Sequence, residues 1–259
     1  MERNIKIRKW IIASVILSIV CIAGGFFFKD YIYDLLNPEF EETAIFPDDS
    51  RENPADTTFT VNGIEIKMIG VKGGKINCKG LRKTIEMGDF YIGETEVTQE
   101  LWASVMGENP SIHKDSLLCP VENVDLEECV AFIHKLDSIS GGDFYIPSYP
   151  EWLYVAYLGS NDSGASYLED DMSWHKENSD SITHPVKQKK PNTLGVYDIV
   201  GNVSEWTVSG SDPLFFVVGG SYETEKQNCK IEAYDIIHAN VKMGSTGFRL
   251  LCFPNAQQK

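Results

Sequence analysis

The longest uncharged stretch of the chain lies near its N-terminus. Residues 10–28 are nineteen apolar or small residues, and a helix of that length spans about 28 Å, close to the hydrocarbon thickness of a bilayer. Four basic residues precede the stretch, and acidic residues dominate after Asp30. The positive-inside rule therefore predicts a single-pass protein of the cell membrane, with a cytoplasmic basic tail at 1–9, a transmembrane anchor at 10–28 and the rest of the chain outside the cytoplasm.

A removed N-terminal segment is the alternative. A cleavable signal peptide has a shorter apolar region, whereas this one continues through Phe26–Phe28, past the small residues at 23–25. Cys21 would suit a lipoprotein, but Val20 stands where a small residue is expected before a lipidated cysteine. The length of the stretch favours an uncleaved anchor.

After the anchor, a segment without periodicity is followed by segments in which apolar and polar residues alternate. Residues 29–58, with Pro38, Pro47 and Pro54, are predicted to be an acidic linker, and residues 59–259 the folded domain. Asn62-Gly63 between apolar residues is typical of a hairpin turn. Alternating or apolar runs predict strands at Ile64–Ile69, Ile85–Glu94, Leu214–Val218 and Phe248–Phe253.

Three short helices are predicted from apolar stripes bounded by capping residues. Each begins after a side chain that can cap an N-terminus and ends at a glycine. The pairs are Thr98 with Gly107, Asp125 with Gly141, and Ser148 with Gly159. In the second helix, one stripe is formed by Cys129, Phe132, Ile133, Leu136 and Ile139.

The segment Ser160–Asn192 is polar and has no long periodic run. A loop of that length in a compact domain should be pinned by its own aromatic residues or by a metal. Few helices, short strands and much irregular chain together predict an α+β domain.

Charge excludes one class of partner. The formal net charge is −15, and after residue 9 the chain carries 19 basic against 37 acidic residues. Such a body repels nucleic-acid phosphates, so no nucleic-acid partner is expected.

The stretch Gly195–Trp206 combines signals that a plain strand or helix does not need. Gly201-Asn202 predicts a backbone turn, and Asp198 before it could converge with Glu205 after it. A turn rich in carbonyls with a carboxylate on each side is typical of calcium sites. The alternative is a tight turn with two solvated acids and a core Trp206.

The order of motifs resembles the formylglycine-generating enzyme family, also called the sulfatase-modifying factor family. The motifs are Tyr91-Ile-Gly-Glu-Thr-Glu-Val-Thr-Gln, Pro120-Val-Glu-Asn-Val, Ile146-Pro-Ser-Tyr-Pro-Glu-Trp, Gly195–Trp206, Gly219-Gly-Ser and Gly247-Phe-Arg. The resemblance covers roughly residues 60–253. It implies a C-type-lectin-like fold with few short helices, short antiparallel strands and much irregular loop held by buried calcium.

The resemblance also implies specific ligands for calcium. They are the side chains of Asp198 and Glu205 and the backbone carbonyls of Gly201 and Val203. Family members often hold a second calcium ion, for which Asn178-Ser179 lies near the corresponding place.

The family's enzymes resemble copper oxidases in which two cysteines, five residues apart after Gly-Gly-Ser, bind copper as thiolates. Here Cys229 matches the second cysteine, but Thr224 stands in place of the first and Val218 replaces the usual arginine. A hydroxyl does not replace a thiolate as a ligand for Cu(I). The copper oxidase chemistry is therefore predicted to be absent.

Several other arrangements stay open. Cys229 could form a disulfide outside the cytoplasm, whereas Cys129 and Cys252 are expected to be buried thiols. Ser221 and His238 permit a hydrolytic pair by composition alone. Nonheme iron is not expected, because the five histidines show no His-x3-His spacing.

The sequence thus predicts a non-catalytic, membrane-anchored, calcium-stabilised module that binds an envelope protein or a glycan, or acts as a scaffold. The alternative is an oxidoreductase that converts a sulfatase cysteine to formylglycine at a variant copper site. In that case Cys229 and Ser221 would be catalytic.

Overall fold

The computed structural model describes residues 43–45, 52–78, 81, 83–159, 170–211 and 213–254. The predicted basic tail at 1–9 and transmembrane anchor at 10–28 lie outside these residues, as does most of the predicted linker. Within the described ranges, no helix combines the length and the apolar character needed to cross a membrane.

The domain has a mixed α/β architecture with much irregular chain. The helices of the described part are α1 (Gln99–Met106), α2 (Leu126–Ser140) and α3 (Tyr149–Leu158). The strands are β1 (Thr43–Ile45), β2 (Thr57–Val61), β3 (Ile64–Val71), β4 (Lys75–Cys78), β5 (Lys83–Glu86), β6 (Phe90–Glu96), β7 (Phe144–Tyr145), β8 (Ser204–Ser211), β9 (Leu214–Val218), β10 (Tyr234–His238), β11 (Thr246–Gly247) and β12 (Arg249–Cys252).

These strands form three sheets. The largest has the order β2-β3-β6-β12-β7, the second β10-β9-β8-β11 and the third β1-β4-β5. Strand pairs are antiparallel, as predicted, except for β11 and β8, which run parallel. The C-terminal strand β12 lies between β6 and β7, so it brings Arg249 opposite Glu96 inside the largest sheet.

Capping determines the helix boundaries, as the sequence predicts. Thr98 caps α1 by accepting from Leu101 N, and both Asp125 and Ser148 form capping boxes. The helices stop at the three predicted glycines. One predicted position differs, because Ile139 on α2 is 50% exposed. It lies in the last turn of the helix, beyond the contact with the core.

The strand predictions were right for the hairpin, for Leu214–Val218 and, within one residue at each end, for Phe248–Phe253. Asn62 and Gly63 adopt positive φ (51° and 82°) and join β2 to β3, as expected. The single strand predicted at Ile85–Glu94 is wrong, because two strands of different sheets, β5 and β6, meet there. Residues Thr43–Ile45, assigned to the linker, pair with β4 as strand β1.

Candidate functional site

The stretch Gly195–Trp206 forms a buried turn in which Asp198, Gly201 and Asn202 all have positive φ (51°, 87° and 57°). A Cβ on Gly201 would lie 2.2 Å from the carbonyl oxygen of Trp174, so only glycine fits. Asp198 and Glu205 are 2% and 1% exposed. They are therefore not the solvated acids of the alternative interpretation.

Asn202 connects this turn to its surroundings. Its side chain accepts from His184 N (2.9 Å) and donates to His184 O (3.1 Å). Its backbone N–H donates to Trp174 O, and its carbonyl accepts from Tyr222 N. The side chain and backbone of this one buried residue thus join the turn to two other segments, a role that the sequence did not suggest.

Arg249 is the central cation of the site. It is fully buried, and its Nε lies 2.9 and 2.7 Å from the two carboxylate oxygens of Glu205. Its other nitrogens donate to the carbonyls of Gly93, Tyr197 and Asp198. Trp152 Nε1 also donates to Glu205, at 2.9 Å. The guanidinium therefore cross-links the turn to β6 and β8.

Two further buried carboxyls, those of Glu96 and Asp198, lie beside this pair, and neither forms a salt bridge with a described residue. Neither carboxylate oxygen of Glu96 has a hydrogen-bond partner in another described residue, and Asp198 Oδ1 has none. Burial raises the pKa of Glu96 well above its ordinary range, and the charge of Asp198 adds to that effect. Burial also raises the pKa of Asp198 to about 6, although the N–H of Lys187 and the charge of Arg249 lower it.

The donor chemistry of the turn is compatible with calcium. Asp198 Oδ1 is a buried oxygen without a partner among the described residues, and the predicted ligands at Gly201 and Val203 are backbone carbonyls. No three His, Cys, Asp or Glu residues come together in the described ranges in a way that could hold a metal ion. A cation here would therefore depend on two carboxylates plus carbonyls, and it would share Glu205 with Arg249.

The predicted copper position is a closed thiol pocket. Cys229 is 3% exposed, and its sulfur lies 3.6 Å from Gly219 O and 3.7 Å from Ser173 Oγ. Burial raises its pKa to about 11, so the thiol is protonated near neutral pH. The hydroxyl of Thr224 accepts from Ser221 N at 3.0 Å and caps the local turn. Thr224 thus has a structural role where the family's enzymes carry a thiolate.

The other arrangements left open by the sequence are not formed in the described part of the chain. The five described cysteines are buried and none is in a disulfide, so Cys229 has no disulfide partner among them. The hydroxyl of Ser221 is engaged with Glu223 N and Thr224, whereas His238 lies exposed on β10. The two do not form a hydrogen-bonded pair.

The described part of the polar segment, residues 170–192, covers the thiol pocket. Trp174 stacks on His184 at 3.7 Å, and Lys189 Nζ lies 3.9 Å from the Trp174 ring. Lys176 N donates to Thr224 O. Aromatic contacts of its own therefore pin this loop, one of the two possibilities predicted. The side chain of Asn178, near the possible second calcium site, bonds to His175 N and Ser173 O within the same loop.

A separate cavity of about 300 Å³ lies against β3 and β6. Its apolar walls come from Ile64, Ile66, Leu101, Leu118, Val186 and Leu250. Its charged residues are Glu65, Lys67, Glu94, Glu96, Glu100 and Lys187. The sequence analysis did not predict this cavity, because strands and loops far apart in the chain form its walls.

Comparisons with known proteins agree with this architecture. A family model described as the sulfatase-modifying factor enzyme 1-like domain matches residues 49–252. Among characterised proteins, the chaperone protein LppX of Paenibacillus barcinonensis is 32% identical over 48% of this chain. The match covers 63% of that relative, so the chain spans less than two thirds of its length.

Similar folds occur among solved structures. Treponema denticola variable protein 1 is 28% identical with a TM-score of 0.68, over 78% of this chain and 100% of its own. PvdO from Pseudomonas aeruginosa is 17% identical with a TM-score of 0.66, over 79% and 100%. CarF is 22% identical with a TM-score of 0.55, over 73% and 99%. At these identities, PvdO and CarF show the fold alone.

Proposed function

The chain belongs to the sulfatase-modifying factor enzyme 1-like domain family, and from that premise we propose that it is a non-catalytic binding module held at the cell membrane by its N-terminal segment. Its domain lies outside the cytoplasm and binds a protein or a glycan of the envelope. The membrane attachment rests on the sequence of residues 1–28. The binding role rests on the site.

The observation that carries the proposal is the state of the thiol pocket. Copper oxidase chemistry of the family type needs two thiolates on one Cu(I) ion. Here Cys229 is a buried, protonated thiol, and Thr224 uses its hydroxyl to cap the turn. The neighbouring loop covers the pocket through Ser173. These features do not favour the alternative, an oxidoreductase that makes formylglycine.

Two features support binding in place of catalysis. The described chain has an open cavity of about 300 Å³ away from Cys229, at the lower end of the range typical of ligand sites. One relative is named a chaperone and another a variable protein. Neither name refers to sulfatase modification.

The decisive experiment is an aldehyde assay. The full-length chain, solubilised in detergent, is reduced, supplied with Cu(I) and oxygen, and incubated with a Cys-x-Pro-x-Arg peptide. We expect mass spectrometry to find no aldehyde above the blank without protein. Aldehyde that disappears in Cys229→Ser would overturn the proposal in favour of the oxidoreductase.

The matched variant for this assay is Thr224→Cys. A Cβ placed on Gly220 would lie 3.2 Å from Cys229 Sγ and 3.3 Å from Thr224 Cγ2, so both side chains flank the same glycine. The variant supplies the second soft ligand, and we expect it to bind Cu(I) at least about tenfold more tightly than the wild type. Equal Cu(I) affinity in the two proteins would contradict the role assigned to Thr224.

We further propose that calcium stabilises the turn through Asp198, Glu205 and the carbonyls of Gly201 and Val203. When bound, the ion would supply positive charge to the buried acids. Millimolar CaCl2 should raise the melting temperature by about 5–10 °C over EDTA if its concentration exceeds Kd by about a hundredfold. Asp198→Ala should abolish the shift, and MgCl2 serves as the control. Identical melting with calcium and with EDTA would refute the site.

A further inference from the structure

The interior beside the cavity holds more buried carboxyl groups than buried cations. Glu96, Asp198 and Glu205 are buried together with one buried guanidinium, that of Arg249. The guanidinium forms a close ion pair with Glu205. Neither carboxylate oxygen of Glu96 has a hydrogen-bond partner in another described residue. Glu96 is 2% exposed and lines the cavity.

The two lysines of the cavity form ion pairs with acids other than Glu96. Glu94 lies between them, with Lys187 Nζ at 2.6 Å and Lys67 Nζ at 3.1 Å from its two carboxylate oxygens. Lys67 also lies 3.4 Å from Asp56. Glu65 and Glu100 add two exposed acids. A cleft with low-dielectric walls and a surplus of one sign of charge concentrates the opposite charge.

We propose that this cavity binds the side chain of a lysine on a protein partner, with its ammonium group toward Glu96 and its alkyl stem against Ile66, Leu118 and Val186. A compact ammonium supplies up to three donors, which matches the two unpartnered oxygens of Glu96. The apolar walls suit a four-carbon stem, which long cationic side chains commonly bury. The inference rests on the proposed binding role and names the chemistry that the partner must present.

The test is a pair of ligands that differ by one group. The probes are Nα-acetyl-lysine N-methylamide and Nα-acetyl-norleucine N-methylamide, which share the alkyl stem but not the ammonium. Their Kd values are measured by ligand-observed NMR on the full-length chain in detergent. We expect the lysine probe to bind at least about tenfold more tightly, because the ammonium meets an unpaired buried carboxyl. Equal affinity for the two probes overturns the inference.

Three variants assign the binding to the cavity. Glu96→Gln should weaken lysine binding at least about tenfold, since an amide cannot form an ion pair with the ammonium. Glu86→Gln on β5, whose side chain pairs with Lys75 outside the cavity, should leave Kd unchanged. The double variant of exposed residues, Glu65→Gln with Glu100→Gln, should weaken binding about twofold to threefold without affecting the core. An unchanged Kd in both cavity variants, with circular dichroism intact, overturns the inference.

Failure here is distinguishable from failure of the proposed function. Aldehyde formation would refute the non-catalytic role but would not change the measured Kd of the lysine probe. Equal binding of the lysine and norleucine probes would refute the lysine site but would not change the result of the aldehyde assay.

Discussion

Arg249→Met is expected to destabilise the domain by about 3–5 kcal/mol, because removal of one partner leaves an uncompensated buried charge. The side chain is fully buried and is the cation that Glu205 contacts. It also satisfies three backbone carbonyls, which methionine cannot do. Urea unfolding followed by tryptophan fluorescence measures the loss, and Trp152 reports directly because its indole N–H binds Glu205.

A second substitution separates charge from packing. Glu205→Gln keeps the shape of the acid and removes its charge, so the double variant should be more stable than Arg249→Met alone. The coupling between the two residues should be about 1–3 kcal/mol, as is typical of contacting residues. A loss below about 1 kcal/mol in Arg249→Met would contradict the central role of this cation.

Gly201→Ala is expected to have the second largest effect, about 3 kcal/mol or more. Part of the loss comes from positive φ, which costs an L-residue about 1–2 kcal/mol. The rest comes from a Cβ forced to 2.2 Å from the carbonyl oxygen of Trp174, which requires backbone movement. Thermal and urea unfolding of the full-length chain measure the sum of these two losses.

The chain offers a matched control for this substitution. Gly63 has nearly the same φ (82° against 87°), but a Cβ there would meet no atom within 4 Å. Gly63→Ala should therefore show only the backbone cost of about 1–2 kcal/mol. Equal losses in the two variants would show that the contact with Trp174 relaxes without cost.

Local chemistry in the sequence was sufficient to locate the helices. Their ends depend on a capping side chain and a glycine a few residues away, and Thr98, Asp125 and Gly141 act as predicted. The hairpin at Asn62-Gly63 was predictable for the same reason. Strands β8 and β10 were missed, because pairing with β9 stabilises them more than any alternation of their own.

The candidate site was predictable only in part. The sequence indicated that Asp198 and Glu205 flank one turn, and both are buried there, while their role as calcium ligands stays a prediction. The ion pair between Arg249 and Glu205 was not predicted, because 44 residues separate the partners and nothing local indicates the contact. The roles of Glu96 and Asn202 were missed for the same reason. Their chemistry comes from neighbours that the chain brings together only when it folds.

The central place of β12 has a consequence for synthesis of the protein. Translation delivers residues 249–252 long after β6 and β7, yet this strand lies between those two strands in the largest sheet. Arg249 bonds to Gly93, 156 residues earlier, so loop closure over most of the domain must precede its contacts. A nascent chain therefore exposes the unpaired edges of β6 and β7 until residues 249–252 emerge from the ribosome. Chaperones have their longest opportunity to act during that interval.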